Sequence, residues 1–176
     1  MFIRCQILVI ITILCMSPAV ATDVDQSALK TAFIIKMVSF IDWPKNAFDG
    51  EQKNFSFCLS QKTPIPDDLL NWSRSARLKS LPVKLINTYY HPESRSSCDL
   101  IFIRHNEHLR TEIQNATRHG VLTISDIPGN AHRGIIINFY QEGKNLRFEI
   151  NLKKAREQKF SIQPRLLKLA KIVGAP

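Results

Sequence analysis

Apolar residues recur along this chain with two periods, and the switches between them outline its elements. From Gln26 to Asp42 the spacing is helical. Leu29, Phe33, Ile34, Met37, Val38, Phe40 and Ile41 cover about half of a helical wheel, wider than the ~100° stripe of an ordinary surface helix. Ile35 falls on the opposite arc, with Thr31, Lys36 and Ser39. A helix this apolar buries two sides, or buries one and offers the other to a partner. Trp43-Pro44 ends it, because the residue before a proline is pushed out of the helical region.

Alternation then takes over. Asn54 to Ser60 sets Phe55, Phe57 and Leu59 against Ser56, Cys58 and Ser60, a strand pattern. A helix is expected within Pro66 to Lys79, with Pro66 in a first-turn position and Asp67 and Asp68 beside the positive end of the helix dipole. Pro82 to Tyr89 and Asp99 to Arg104 read as further strands. Asn106 to Arg118 reads as an amphipathic helix closed by Gly120, followed by a strand over Val121 to Ser125. Two successive strand–helix–strand units point to parallel pairing. Gly134 to Tyr140 and Leu146 to Leu152 flank Glu142-Gly143-Lys144 as an antiparallel hairpin. Pro164 to Val173 is predicted as a closing helix with Leu166, Leu167, Leu169 and Ala170 on its apolar side. No repeat or long linker divides the chain. The expected fold is α/β: one layered sandwich over residues 22–176, with a mostly parallel central sheet, helices on both faces and the C-terminal hairpin plus helix.

The first residues change where this domain works. Arg4 precedes an apolar run from Cys5 to Met16, broken by Gln6 and Thr12, and Ala19-Val20-Ala21 offers a small-x-small cleavage site. Residues 1–21 are therefore expected to be a signal peptide cut after Ala21, since the run falls short of the ~20 residues that span a bilayer. Export leaves 155 residues, enough for one core, and lowers the net charge from +9 to +8 through loss of Arg4. A basic balance suits a solvated surface, or attraction to acidic partners or membranes. Nucleic acid is an unsuitable partner for an exported chain with no Lys/Arg cluster interleaved with aromatics. Of four cysteines, only Cys58 and Cys98 survive cleavage. Two thiols in an oxidising compartment most simply pair, the alternative being two separately buried thiols.

Candidate chemistry is sparse. No nucleophile elbow, phosphate loop, dinucleotide fingerprint or zinc-protease motif occurs. His105, His108 and Glu112 have helical spacing conceivable for a metal, though exposed histidines on a polar face are usually surface, and no metal or cofactor is expected. His132 and Asp126 are conceivable acid–base groups without visible partners, and Ser125 lacks an activating base. Asp126 is as natural in the turn before Ile127-Pro128-Gly129. The loop from Gly129 through Arg133 to Gly134 invites two readings: backbone amides cradling an anion, or glycines that simply permit tight turns.

Several blocks together resemble the YfiR/HmsC-like family of bacterial periplasmic proteins. They are Lys30-Thr31-Ala32-Phe33 through Phe40-Ile41-Asp42-Trp43-Pro44, Phe57-Cys58-Leu59 with Cys98-Asp99-Leu100-Ile101-Phe102-Ile103, and Val121 to Asp126 with Gly134 to Phe139. The last is Arg147 to Leu152 with Ala155 and Leu166 to Ala170. The chain departs from the family pattern at Gly134-Ile135, where Gly-Gly is frequent, and at Gln61, where a glycine often follows the first strand. The resemblance implies a regulator and no enzyme. Such a protein binds the periplasmic sensor part of an inner-membrane diguanylate cyclase, or a related sensor kinase, and restrains cyclic di-GMP synthesis and biofilm formation. It also implies a Cys58–Cys98 disulfide and a homodimer. The apolar first helix then supplies candidate contact residues, Phe33, Ile35, Met37, Phe40 and Trp43, unless these pack against Phe48 or the closing helix. The alternative function is a small-ligand-binding module using Gly129, Arg133 and Gly134.

Overall fold

The computed structural model describes residues 23–45, 47–48, 53–89 and 91–174, so the expected signal peptide, residues 1–21, lies outside the described residues. The first half of the chain forms α1 (Asp23–Val38), β1 (Ile41–Asp42), β2 (Phe55–Ser60), α2 (Asp67–Ser73), β3 (Arg77–Leu78) and β4 (Leu81–Asn87). Then come β5 (Leu100–Ile103), α3 (Leu109–His119), β6 (Leu122–Ser125), β7 (Ile137–Glu142) and β8 (Asn145–Asn151). The chain closes with α4 (Leu152–Glu157), β9 (Ser161–Ile162), α5 (Pro164–Leu167) and β10 (Lys171–Val173).

The main sheet has eight strands in the order β10-β8-β7-β6-β5-β2-β4-β3. Pairing is parallel throughout, except at β3/β4 and in the β7/β8 hairpin. Two-residue periodicity sorts the side chains between its faces. Phe55, Phe57, Leu59, Leu100, Phe102, Leu122 and Ile124 share one apolar cluster with Ile34, Met37 and Val38 of α1 and Leu69 of α2. Cys58, Ile101 and Ile103 point the other way, into a smaller cluster with Leu109 and Ala116 of α3. Helices thus cover both faces, which is why β5 reads as an unbroken apolar run.

Cys58 and Cys98 are joined by a disulfide, their Cα atoms 5.9 Å apart. The register explains the meeting. Phe57 lies opposite Leu100, so Cys58 on β2 stands beside the entrance to the neighbouring strand β5.

Of the boundaries that differ from the sequence expectation, two turn the end of an expected helix into a strand. α1 stops at Val38, not Asp42, and Ile41–Asp42 pair antiparallel with Ser161–Ile162 in a separate two-stranded sheet. Extension before Trp43-Pro44 begins early because Ile41, fully buried, gains both a strand partner and the core. The closing helix is also shorter. Helical turns from Pro164 end at Ala170, whose N–H donates to the Leu167 carbonyl. Lys171–Val173 then leave as an edge strand parallel to β8, with Ile172 opposite Ile150. The β-branched pair Ile172-Val173 suits a strand better than a helix end.

Candidate functional site

Topology points first to the carboxyl ends of β2 and β5. From β2 the chain moves outward to β4, then returns past β2 to place β5 on its other side. Strand order reverses there, and in open α/β sheets such a reversal leaves a crevice beyond the strand ends. The polar residues at those ends are Ser60 and Gln61, and Arg104 and His105, with Ser125 and Asp126 at the end of the adjoining β6.

On the α1 side they form an ionic cluster. Lys30 Nζ lies 2.8 Å from Asp126 Oδ2, and Arg104 Nε lies 3.7 Å from the same oxygen. Arg104 also donates to Gln61 Oε1 at 3.5 Å. Asp126 is therefore more than a turn residue: it ties the first helix to the end of the sheet.

On the α3 side lies a buried network. Ser60 Oγ donates to Glu112 Oε1 at 2.6 Å, and His105 Nε2 stands 2.8 Å from the same hydroxyl. With the serine proton given to the carboxylate, the imidazole serves as donor through Nε2. That order, His to Ser to Glu, is the reverse of nucleophile activation, where the imidazole accepts the serine proton. Ser60 is also fully buried. The network fastens β2, the loop after β5 and α3 together. Ser60→Ala removes a donor from a buried carboxylate and is expected to lower stability by about 1–3 kcal/mol. Urea unfolding of the variant against the parent measures it.

Glu112 thus turns inward, while the His105 and His108 rings stand 6.4 Å apart. Among the described residues no three His, Cys, Asp or Glu side chains are grouped to hold a metal. Ser125 Oγ donates to the Ile103 carbonyl and accepts from Asn130 Nδ2, a structural use. The loop from Gly129 to Gly134 spends its amides on itself. The N–H groups of His132, Arg133, Gly134 and Ile135 donate to carbonyls of the loop, and that of Asn130 to the Ile127 carbonyl just before it. Those amides are not available to an amide cradle, and the glycines serve the turn: Gly129 and Gly134 take φ of +81° and +110°. Arg133 remains exposed on this loop.

α1 sorts the candidate contact residues. Met37 is 2% exposed and belongs to the core, so as placed here it offers nothing to a partner. Phe33, Ile35, Phe40 and Trp43 are half-buried against that core. Trp43 is removed from the helix altogether and sits among Phe48, Phe55 and Phe160, at ring separations of 5.8, 5.8 and 5.6 Å. Lys79 covers it, with Nζ 5.2 Å from the ring centroid and donating to the Ile41 carbonyl at 2.6 Å. Burial holds this ammonium below the usual lysine range. The outward surface of α1 is instead carried by Leu29, 44% exposed, with Ala32 and Lys36.

Sequence reasoning gave Lys30, Ser60 and Arg104 no chemical role and took Glu112 only as a conceivable metal ligand. Ser60 closes an apolar strand run and Gln61 and Arg104 directly follow one, and only the strand order reveals that these ends converge.

Comparison with known proteins supports the architecture. A conserved domain protein from Vibrio cholerae superposes with a TM-score of 0.52 at 12% identity, covering 82% of this chain and 58% of that one. An ABC domain from Streptococcus pneumonia, solved in complex with L-Trp, gives a TM-score of 0.50 at 12% identity, covering 68% of this chain and 55% of that one. The chain spans little more than half the length of either structure, and at such identity the likeness is one of fold alone. No curated protein shows significant sequence similarity to the chain. Residues 27–171, nearly the whole described region, match the YfiR/HmsC-like family, and the chain belongs to that family.

Proposed function

We propose that this protein is a periplasmic regulator that binds the sensor portion of an inner-membrane diguanylate cyclase and holds its cyclic di-GMP output down. Membership of the YfiR/HmsC-like family across residues 27–171 is the observation that carries the reading. The polar groups at the strand ends are engaged with one another, as suits a binding protein. Residues 1–21 act as the export signal in this reading, and the exported protein begins at Thr22 and forms a homodimer.

Contact with the cyclase is assigned to the outward side of α1, around Leu29 and the half-buried Phe33, Ile35 and Phe40. Leu29→Glu with Ala32→Glu is expected to weaken the complex about tenfold or more, the scale of one interface anchor, without moving the thermal unfolding midpoint. The direct experiment is affinity capture of the tagged protein from detergent-solubilised membranes of cells that export it. Recovery of a membrane protein bearing a diguanylate cyclase domain, lost in the double variant, is expected. Recovery of none, with the protein folded and exported, contradicts the proposal.

A second reading, a small-ligand module, draws on one observation: Lys30 and Arg104 converge beside Asp126 at the strand-order reversal. A ligand-dependent rise in melting temperature, abolished by Arg104→Ala, is its signature.

A further inference from the structure

The C-terminal elements carry charge and apolar surface that the regulatory reading does not use. Seven of the chain's 24 lysines and arginines lie between Lys153 and Lys171, against the single acid Glu157. Lys154 pairs with Glu157, and Lys171 with Glu149. The other five, Lys153, Arg156, Lys159, Arg165 and Lys168, are exposed and pair with no acid among the described residues. Two large apolar side chains stand out among them. Leu169 is 70% exposed and Ile172 38%.

Local geometry gathers part of this set on one surface. Helical turns run from Pro164 to Ala170, so Lys168 and Leu169, three and four residues beyond Arg165, are its neighbours on the surface, and all three are exposed beside the buried Leu166. Ile172 follows on β10, the outermost strand of the sheet. α4 is tied to the same edge, since the Lys153 N–H donates to the Gly174 carbonyl. Edge strands often carry a lysine to discourage pairing, but Lys171 would suffice for that. It leaves Leu169 unexplained.

We infer that this edge docks peripherally on an anionic lipid surface, with Leu169 and Ile172 entering the headgroup layer and the surrounding cations meeting lipid phosphates. The chemistry favours lipid over an acidic protein. Protein interfaces are depleted in lysine and enriched in aromatics, whereas five of the seven cations here are lysines and the segment's one aromatic, Phe160, is buried. Lipid attraction needs only charge near the surface and an apolar tip. The inference goes beyond cyclase binding and does not require it. It would hold the regulator in the plane where a membrane receptor's exported portion begins.

The test is co-sedimentation of the protein, recovered from an exporting host, with vesicles of equimolar phosphatidylglycerol and phosphatidylethanolamine, and with vesicles of phosphatidylcholine alone. Binding to the first only, weakening as salt rises, is expected. Arg165→Ala with Lys168→Ala should lower partitioning about 25-fold, and Leu169→Asn about tenfold. All three positions are exposed, so melting temperatures should match the parent, and any contribution from residues 1–21 is common to all forms. Equal binding to both vesicles, no binding, or variants indistinguishable from the parent overturns the inference. So does loss of cyclase capture by Arg165→Ala/Lys168→Ala with vesicle binding absent, which would make the surface a protein contact. Vesicle binding with no cyclase captured leaves the inference standing and removes only the cyclase proposal.

Discussion

Replacing both Cys58 and Cys98 by alanine is expected to lower the free energy of unfolding by about 4 kcal/mol, the chain-entropy value for a loop of this length. The bridge closes 40 residues, a span holding α2, β3 and β4. Without it, nothing covalent holds β5 beside β2 while the excursion to β4 is completed, and the reversal of strand order depends on that neighbour relation. A domain of this size has a total stability of about 5–15 kcal/mol, so the loss is a large share. Urea unfolding of the oxidised parent and of the double variant, compared at equal slope, measures it. A difference below about 1 kcal/mol would mean that sheet pairing alone determines the β2–β5 register.

Trp43→Ala is expected to cost about 3 kcal/mol, typical of truncating a large aromatic in a packed cluster. The indole touches Phe48, Phe55 and Phe160 and lies under Lys79, so its loss leaves a gap between the end of α1, β2 and the turn before β9. The same substitution separates two roles. A partner-contact tryptophan would lose affinity while the melting temperature held. A packing tryptophan loses stability first, as chemical unfolding of Trp43→Ala beside Leu29→Ala would show, the latter staying within about 1 kcal/mol because Leu29 is largely outside the core.

Much of this architecture was legible in the amino-acid order. Alternation at Phe55, Phe57 and Leu59, and the short apolar run Leu100–Ile103, identify strands because burial on one or both faces leaves a two-residue or continuous pattern. The hairpin around Gly143 is equally plain, since the glycine takes φ of +59° where a side chain would be strained. What failed was local. Ile41 and Ile172 fit a helical face by spacing, yet each is drawn into a strand by a partner far along the chain, Ile162 and Ile150. No window of neighbouring residues contains that information. The Ser60–His105–Glu112 network was hidden for the same reason: its members are brought together by strand order. Trp43 differs in another way: offered as a contact residue of the first helix, it lies past Val38, where that helix has already ended.

Cyclic di-GMP in intact cells bears most directly on the regulatory role. In cells lacking the native gene, exported parent protein should lower the cyclic di-GMP level, the Leu29→Glu/Ala32→Glu form should not, and both should accumulate equally in the periplasm. An unchanged level with the folded parent present, or equal repression by the two forms, would contradict control of a cyclase through the outward side of the first helix.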